Sequence, residues 1–291
     1  MTTRTAVVGG GSMGVGIAHA LAESGAEVAL VDADLEHAVA AREKVAAVYA
    51  AAVGRGKMSP DAAAIATARI HPVASIDALP SRLELIVEAV PERLELKRSV
   101  LGLCATRSPA VLATNTSGLS IDALSSALPN PEGFIGLHFF NPVWAVPFVE
   151  IVMGQRTADE TRREALAICA QLRKETVVVR DSPGFASSRL GLALGLEAMR
   201  MLEERVATAL DIDRAMELGY RHPMGPLRLT DLIGLDVRLD IARSLEVALG
   251  PRFTPPRILV ALVEAGDLGK KTGRGFYDWT SGTPVARALE P

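Results

Sequence analysis

The sequence has few aromatic residues, only two cysteines and no excess of basic charge. Aromatic residues make up 4% of its 291 residues, against 49% hydrophobic residues, so the core must be mostly aliphatic. Cys104 and Cys169 match no metal-ligand spacing, and we expect two reduced core thiols and no metal site. The net charge is −3 with acids and bases intermixed. This argues against a nucleic-acid partner, because such proteins concentrate basic residues on one face.

Long apolar runs and export signals are also absent from the sequence. No run reaches the roughly 20 residues that a membrane-spanning helix needs. The first residues lack the order of a signal peptide, in which a charged region precedes an apolar one. We therefore expect no membrane association and a cytoplasmic location.

Short apolar runs alternate with longer helical patterns through the first two-thirds of the chain. Strands are predicted at 5–8, 28–31, 85–90, 111–114, 134–138, 148–152 and 176–179. Helices are predicted at 12–24, 35–53, 93–105, 121–127 and 159–172. This alternation predicts βαβ units and a mostly parallel sheet.

The pattern changes after residues 181–184, where the sequence Asp-Ser-Pro-Gly breaks regular structure. Helical patterns follow at 185–203, 211–218, 226–249 and 256–265, with Asp211 as the expected N-cap of the second helix. We find no strand pattern in this part of the sequence. The sequence therefore predicts an α/β domain at 1–183 and an all-helical domain at 184–291.

A glycine-rich turn follows the first predicted strand and opens the first predicted helix. Gly9, Gly11 and Gly14 form G-x-G-x-x-G, in which they permit a tight turn, close approach of a pyrophosphate, and close helix–strand packing. The helix N-terminus offers N–H groups to the phosphates. Asp32 ends the next strand, where it would bind ribose hydroxyls and repel a 2′-phosphate. The pattern predicts a Rossmann-type domain that binds NAD rather than NADP, with a ligand-free glycine turn as the alternative.

A histidine and a glutamate stand in two apolar strands. His138 ends the strand predicted at 134–138, where parallel sheets place ligands. Glu150 lies inside the strand at 148–152, and burying its carboxylate is costly unless a partner such as an imidazole is near. Beside a nicotinamide, His138 would take a hydroxyl proton while a hydride leaves carbon, and Glu150 would fix its tautomer. From spacing alone, a structural salt bridge or a satisfied core histidine is the alternative.

Seven ordered blocks of the sequence resemble the L-3-hydroxyacyl-CoA dehydrogenase family, in particular its bacterial 3-hydroxybutyryl-CoA members. They are VVGGGSMGVGIA (7–18), VEAVPERLELK (87–97), TNTSGLSI (114–121), GLHFFNPV (136–143), DSPGF (181–185), HPMGPLRLTDLIGLD (222–236) and GKKTGRGFYDW (269–279). The resemblance covers nearly the full chain. It implies NAD-dependent oxidation of short-chain (S)-3-hydroxyacyl-CoA to 3-oxoacyl-CoA, as in fatty-acid β-oxidation. It also implies a helical domain that binds substrate and forms a homodimer.

The resemblance further implies roles for individual residues. His138 would be the catalytic base, Glu150 its orienting partner, and Ser117 a hydrogen-bonding group for the substrate close to the nicotinamide. The residues implied to contact NAD are Gly9, Gly11, Ser12, Met13, Gly14, Asp32, Glu92, Lys97, Asn115, Ser117, Asn141 and Lys271.

Two features depart from the family pattern at the substrate end. Ser188 stands where the family has asparagine, and its shorter side chain can still donate one hydrogen bond to substrate, or act through a bridging water. Arg55 and Lys57 occupy the place of a family patch for CoA phosphates that is usually richer in lysine, so a solvated basic helix end is the alternative. The rival functions are dehydrogenation of a carrier-protein-bound or free small hydroxy acid, and a non-catalytic NAD-binding protein.

Overall fold

The computed structural model describes residues 4–289, and the chain forms two compact units that divide between Ser182 and Pro183. The strands described in the first unit are β1 (Arg4–Val8), β2 (Glu27–Val31), β3 (Ile70–Val73), β4 (Leu85–Glu88), β5 (Val111–Thr114), β6 (Phe134–Phe139), β7 (Phe148–Met153) and β8 (Glu175–Arg180). Its helices are α1 (Ser12–Glu23), α2 (Leu35–Gly54), α3 (Pro60–Ala68), α4 (Leu94–Ala105), α5 (Ile121–Ser125) and α6 (Asp159–Gln171).

The strands form a single sheet in the order β3-β2-β1-β4-β5-β6-β7-β8. Neighbours from β3 to β6 are parallel, β6 and β7 are antiparallel, and β7 and β8 are parallel again. The predicted Rossmann-type, mostly parallel sheet is therefore confirmed. The strand order reverses beside β1, and sheets of this kind bind ligands at the carboxyl ends of the strands next to that reversal.

The middle of the sheet is fully buried. Strands β4, β5 and β6 are buried along their whole length, as expected for strands that are covered by helices on both faces. Polar side chains in such strands are costly unless they are paired. Glu88, Thr114 and His138 are nevertheless buried there, and all three lie at or next to the carboxyl end of their strand.

One α-helix and one strand of the first unit, α3 and β3, were not predicted from the sequence. Pro72 lies within β3, which pairs with β2 at the edge of the sheet, where a missing N–H is tolerated. Helix α3 begins with Pro60 in its first turn, after Ser59, whose side chain accepts a hydrogen bond from the Ala62 N–H at 3.2 Å. Both start signals are present in the sequence, but the alanine-rich helix shows little apolar periodicity.

The second unit is helical, as predicted, with one small addition. Its helices are α7 (Ser187–Glu203), α8 (Ala209–Arg214), α9 (Pro226–Ile233), α10 (Leu235–Leu249) and α11 (Arg257–Glu264). Two short strands, β9 (Tyr277–Asp278) and β10 (Val285–Ala286), pair antiparallel. An aliphatic core built mainly from α7, α10 and α11 holds the unit together, with Phe253, Phe276 and Tyr277 as its buried aromatic residues.

Three details of the second unit differ from the predictions. Thr208, not Asp211, is the N-cap of α8, since its side chain accepts from the Asp211 N–H at 3.2 Å and its hydroxyl donates to the Asp211 carboxylate at 2.7 Å. After α8 the chain continues as one π-helical turn, Ala215–Gly219. The single helix predicted at 226–249 is two helices, because Gly234 adopts φ 107°, which no α-helix accommodates.

The described range, residues 4–289, lacks two kinds of feature. No helix in this range is long and apolar enough to cross a membrane. The same range contains no group of three or more His, Cys, Asp or Glu side chains arranged to hold a metal ion. Burial raises the pKa of Cys104 and of Cys169 to about 12, so both are thiols rather than reactive thiolates.

Candidate active site

The glycine-rich turn has the geometry that its sequence predicts. Gly9 adopts φ 109°, and its N–H donates to the carbonyl of Val31 at 2.8 Å, which joins the turn to β2. A Cβ at Gly14 would lie 1.7 Å from the carbonyl oxygen of Gly9, so only glycine lets α1 pack this closely on the turn. Gly11 is the N-cap of α1 and has nothing within 4 Å of the position where a Cβ would lie. The turn therefore leaves space beside its middle glycine.

The start of α1 is suited to an anionic ligand. Gly11 supplies no capping side chain, and the first turn, which includes Ser12 and Met13, has no acidic residue. The N–H groups of such a turn and the positive end of the helix dipole attract phosphate. These residues therefore fit the pyrophosphate of a dinucleotide.

Asp32 follows β2 and lies beside the glycine-rich turn. Its carboxylate accepts hydrogen bonds from the N–H groups of Gly10 at 2.9 Å and Ala33 at 2.7 Å. These two bonds fix the orientation of the carboxylate, and each oxygen keeps further capacity to accept. The position and charge fit a ribose diol and oppose a 2′-phosphate.

His138 and Glu150 are directly opposite each other on the antiparallel strands β6 and β7. The Nδ1 atom of His138 lies 3.0 Å from Oε2 of Glu150. Glu150 is 0% exposed and His138 is 6% exposed. The predicted pairing of the two side chains is therefore present. The contact sets the imidazole tautomer by assigning Nδ1 as donor, so the lone pair of the neutral ring is on Nε2.

Glu88 is a buried acid that the sequence analysis did not single out. It ends β4, is 0% exposed, and accepts from Lys97 Nζ at 2.8 and 3.1 Å, the Thr114 hydroxyl at 2.6 Å and the Val90 N–H at 2.6 Å. Lys97 is itself only 1% exposed. The desolvation argument that singled out Glu150 applies equally to Glu88, which also lies in an apolar strand. The network fixes the chain where β4 and β5 end.

Glu92 organises the turn that carries Ser117. Its Oε1 accepts from the Thr116 hydroxyl at 2.6 Å, from Ser117 N–H at 2.9 Å and Oγ at 3.2 Å, and from Gly118 N–H at 3.2 Å. Its other oxygen lies 3.4 Å from Lys97 Nζ. Two acids and one lysine thus connect the end of β4 to the turn after β5. Direct contact of Glu92 and Lys97 with NAD stays a prediction.

Two of the predicted asparagines follow the strands β5 and β6. Asn115 follows β5, and its side-chain oxygen accepts from the N–H of Phe139 at 2.9 Å, which holds the strand end next to His138. Asn141 follows β6 and is exposed. The ring of Phe140 packs against the imidazole at a centroid distance of 4.3 Å. The chain thus brings Asn115 and His138 together at one edge of the sheet.

Four further predicted residues lie on other elements. Arg55 and Lys57 are exposed just after α2, which is compatible with either the CoA role or a solvated helix end. In the second unit, Ser188 is in the first turn of α7. Lys271 donates to both carboxylate oxygens of Asp236, at 2.6 and 2.5 Å. Their roles in binding stay predictions.

Comparison with known proteins identifies relatives over nearly the whole chain. The family model described as 3-hydroxyacyl-CoA dehydrogenase, NAD binding domain, matches residues 4–182, and that of the C-terminal domain matches residues 184–279. A 3-hydroxybutyryl-CoA dehydrogenase of Bradyrhizobium diazoefficiens is 39% identical over 97% of each chain. A 3-hydroxyadipyl-CoA dehydrogenase of Escherichia coli is 39% identical over 98% of this chain and 61% of its own. The crystal structure of (S)-3-hydroxybutyryl-CoA dehydrogenase PaaH1 from Ralstonia eutropha superposes with a TM-score of 0.91, at 35% identity, over 96% of this chain and 100% of that one.

Proposed function

Because the chain belongs to the 3-hydroxyacyl-CoA dehydrogenase family and its first unit is an NAD-binding domain, we propose that it interconverts a short-chain (S)-3-hydroxyacyl-CoA and the matching 3-oxoacyl-CoA. The observation that carries the proposal is the buried contact between His138 and Glu150 at the carboxyl edge of the parallel strands. It supplies a base with a defined tautomer where this fold binds its ligands.

The roles of the residues follow from their contacts. The chemistry that bound NAD would supply is an acceptor for the hydride from C3 of the substrate. His138 removes the proton of the C3 hydroxyl through Nε2, and Glu150 offsets the positive charge that the imidazole gains. Ser117, held by Glu92, orients the same hydroxyl. Asp32 and the N-terminus of α1 bind the ribose and the pyrophosphate.

The acyl group is the least defined part of the substrate. The relatives named for butyryl and for adipyl substrates are equally similar to this chain, each at 39% identity. Ser188, in place of the family asparagine, and the exposed Arg55 and Lys57 belong to the substrate-binding part of the proposal. We further propose that this reaction serves as the hydroxyacyl step of fatty-acid β-oxidation and takes place in the cytoplasm.

We also propose that the second unit forms a homodimer. Its surface carries large exposed apolar side chains, which a second copy of the unit would bury if they meet at one contact. They include Leu190, Leu218, Tyr220 and Val247, which are 65%, 70%, 76% and 91% exposed. Light scattering during gel filtration should give twice the mass of the 291-residue chain, and a monomer would contradict this proposal.

The test of activity is reduction of acetoacetyl-CoA, followed by the loss of NADH absorbance. We expect turnover with NADH and little with NADPH. His138→Gln should lower kcat by roughly 10² to 10⁴-fold, the usual contribution of a general base, while NAD affinity measured by calorimetry is unchanged. A wild-type protein that is inactive on CoA thioesters but oxidises free 3-hydroxy acids would show that the CoA assignment is wrong. Full activity of His138→Gln would rule out His138 as the base.

A further inference from the structure

Glu88 and Lys97 form a buried ion pair at the carboxyl edge of the sheet. Their side chains are 0% and 1% exposed, and Lys97 Nζ lies 2.8 and 3.1 Å from the two carboxylate oxygens. Taking two charges out of water is costly, and apolar residues of similar volume can often replace such a pair without loss of stability. Stability of the fold alone therefore does not account for a pair at this place.

The ammonium of Lys97 connects this buried acid to a second acid nearer the surface. An ammonium has three N–H donors. Beyond its two bonds to Glu88, Nζ lies 3.4 Å from Oε2 of Glu92, whose side chain is 39% exposed. Water competes for a carboxylate that is this exposed. Because Lys97 is fixed on both oxygens of Glu88, its charge holds Glu92 in one orientation.

The second oxygen of Glu92 holds the turn after β5. This oxygen, Oε1, accepts from the Thr116 hydroxyl at 2.6 Å, from the N–H groups of Ser117 and Gly118 at 2.9 and 3.2 Å, and from Ser117 Oγ at 3.2 Å. A rotation of the carboxylate would break several of these bonds together. The position of Ser117 therefore depends on how Glu92 is held.

Glu88 also acts directly on the start of the same segment, residues 114–118. Its carboxylate accepts from the Thr114 hydroxyl at 2.6 Å, and its backbone carbonyl accepts from the Asn115 N–H at 2.8 Å. The side chain of Asn115 in turn accepts from the Phe139 N–H. Glu88 thus holds one end of the segment through its own bonds and the other end through Lys97 and Glu92.

We propose that Glu88 and Lys97 are positioning residues for Ser117. They act through Glu92, which transmits the place of the buried pair to the turn. The inference rests on the proposed function, in which Ser117 orients the hydroxyl that reacts. Neither member of the pair touches the substrate in this role. Their effect is on rate, because a small misplacement of an orienting group moves the reacting atoms out of alignment.

The test uses the double variant Glu88→Gln/Lys97→Met in the full-length protein. It removes both charges, so neither is left buried and unpaired, and glutamine keeps an oxygen and an N–H for the Val90 N–H and the Thr114 hydroxyl. Urea unfolding checks that it is folded. At saturating NADH, kcat for acetoacetyl-CoA should fall roughly tenfold, a typical effect for coupled neighbours. The control is Glu160→Gln/Arg163→Met, an exposed ion pair on α6, which should leave kcat unchanged.

A mutant cycle with Ser117→Ala distinguishes positioning from general support of the fold. If the pair acts on rate through Ser117, removing its charges in the Ser117→Ala protein should change kcat by less than about threefold. A role in stability alone would lower kcat by the same factor in both backgrounds, and that result would overturn the inference. A weaker NAD affinity with kcat at saturating NADH equal to wild type would also overturn it, and would leave Lys97 as a cofactor contact.

Hydrogen exchange tests the same connection without a substrate. The amides of Ser117 and Gly118, followed by NMR, should exchange roughly tenfold faster in Glu88→Gln/Lys97→Met than in wild type, because Glu92 is released. Unchanged exchange would overturn the inference whichever substrate the enzyme uses. A wild type that oxidises free 3-hydroxy acids but not CoA thioesters would overturn the proposed function instead, and the mutant cycle on that hydroxy acid would then decide the inference.

Discussion

Replacing Glu150 by glutamine tests the proposed site most directly. The variant keeps the size and shape of a side chain that is 0% exposed and lies 3.0 Å from His138 Nδ1. It removes the negative charge that stabilises the imidazolium, and the amide can present an N–H that favours the wrong tautomer. Because a general base contributes roughly 10² to 10⁴-fold, we expect kcat to fall by about that factor. NAD affinity should not change, since the ribose and pyrophosphate are assigned to Asp32 and the start of α1 beside β1, and β7 is the fourth strand from β1, about 19 Å away at ~4.8 Å per strand.

The assay is steady-state reduction of acetoacetyl-CoA by NADH, combined with calorimetric titration of NAD and thermal unfolding. Glu175→Gln is the matched control, because Glu175 is exposed at the start of β8. A kcat within threefold of wild type in Glu150→Gln would refute the orienting role. A loss of NAD affinity as large as the loss of kcat would instead assign Glu150 to general support of the fold.

Three further predictions follow from buried and charged groups. Burial and the nearby Lys174 charge lower the pKa of His19 from 6.5 to about 4. The unfolded chain therefore binds a proton that the folded chain excludes, so this group should make the free energy of urea unfolding about 2 kcal/mol lower at pH 5 than at pH 7. His19→Phe should remove that difference. A variant with the same pH dependence as wild type would contradict the role of His19. Glu88→Gln removes the nearest counterion of buried Lys97, which keeps only Glu92 at 3.4 Å, and should cost about 3 kcal/mol in urea unfolding. Adding Lys97→Met should restore part of that loss, and a double variant no more stable than the single one would argue against the pair. Asp32→Ser should weaken NAD binding by roughly 10 to 100-fold and improve NADP binding, as measured by calorimetry, and unchanged selectivity would exclude Asp32 as the ribose-binding acid.

Much of the cofactor half of the site could be predicted because its determinants are local. Gly9, Gly11 and Gly14 lie within one turn, and the need for glycine at each position can be inferred from the local motif. The contact between His138 and Glu150 could be predicted from chemistry, since a carboxylate inside an apolar strand needs a partner.

What the sequence did not reveal depends on packing between distant segments. Glu88 accepts a hydrogen bond from the hydroxyl of Thr114, 26 residues away, and no local sequence pattern predicts that contact. The break at Gly234 lies inside a continuous helical pattern, and only its φ of 107° ends the helix. Strand β3 is short and contains Pro72, so it became a strand through pairing with β2 rather than through its own composition.

The antiparallel pairing of β6 with β7 makes the proton-handling pair independent of the segment that connects them. His138 and Glu150 meet through strand register, so the length of the connection at 140–147 does not itself set the distance between the two side chains. A slip of one residue in that register would turn Glu150 to the opposite face of the sheet. The register of β6 against β7, rather than the connection between them, is therefore what an engineered variant of this enzyme must preserve.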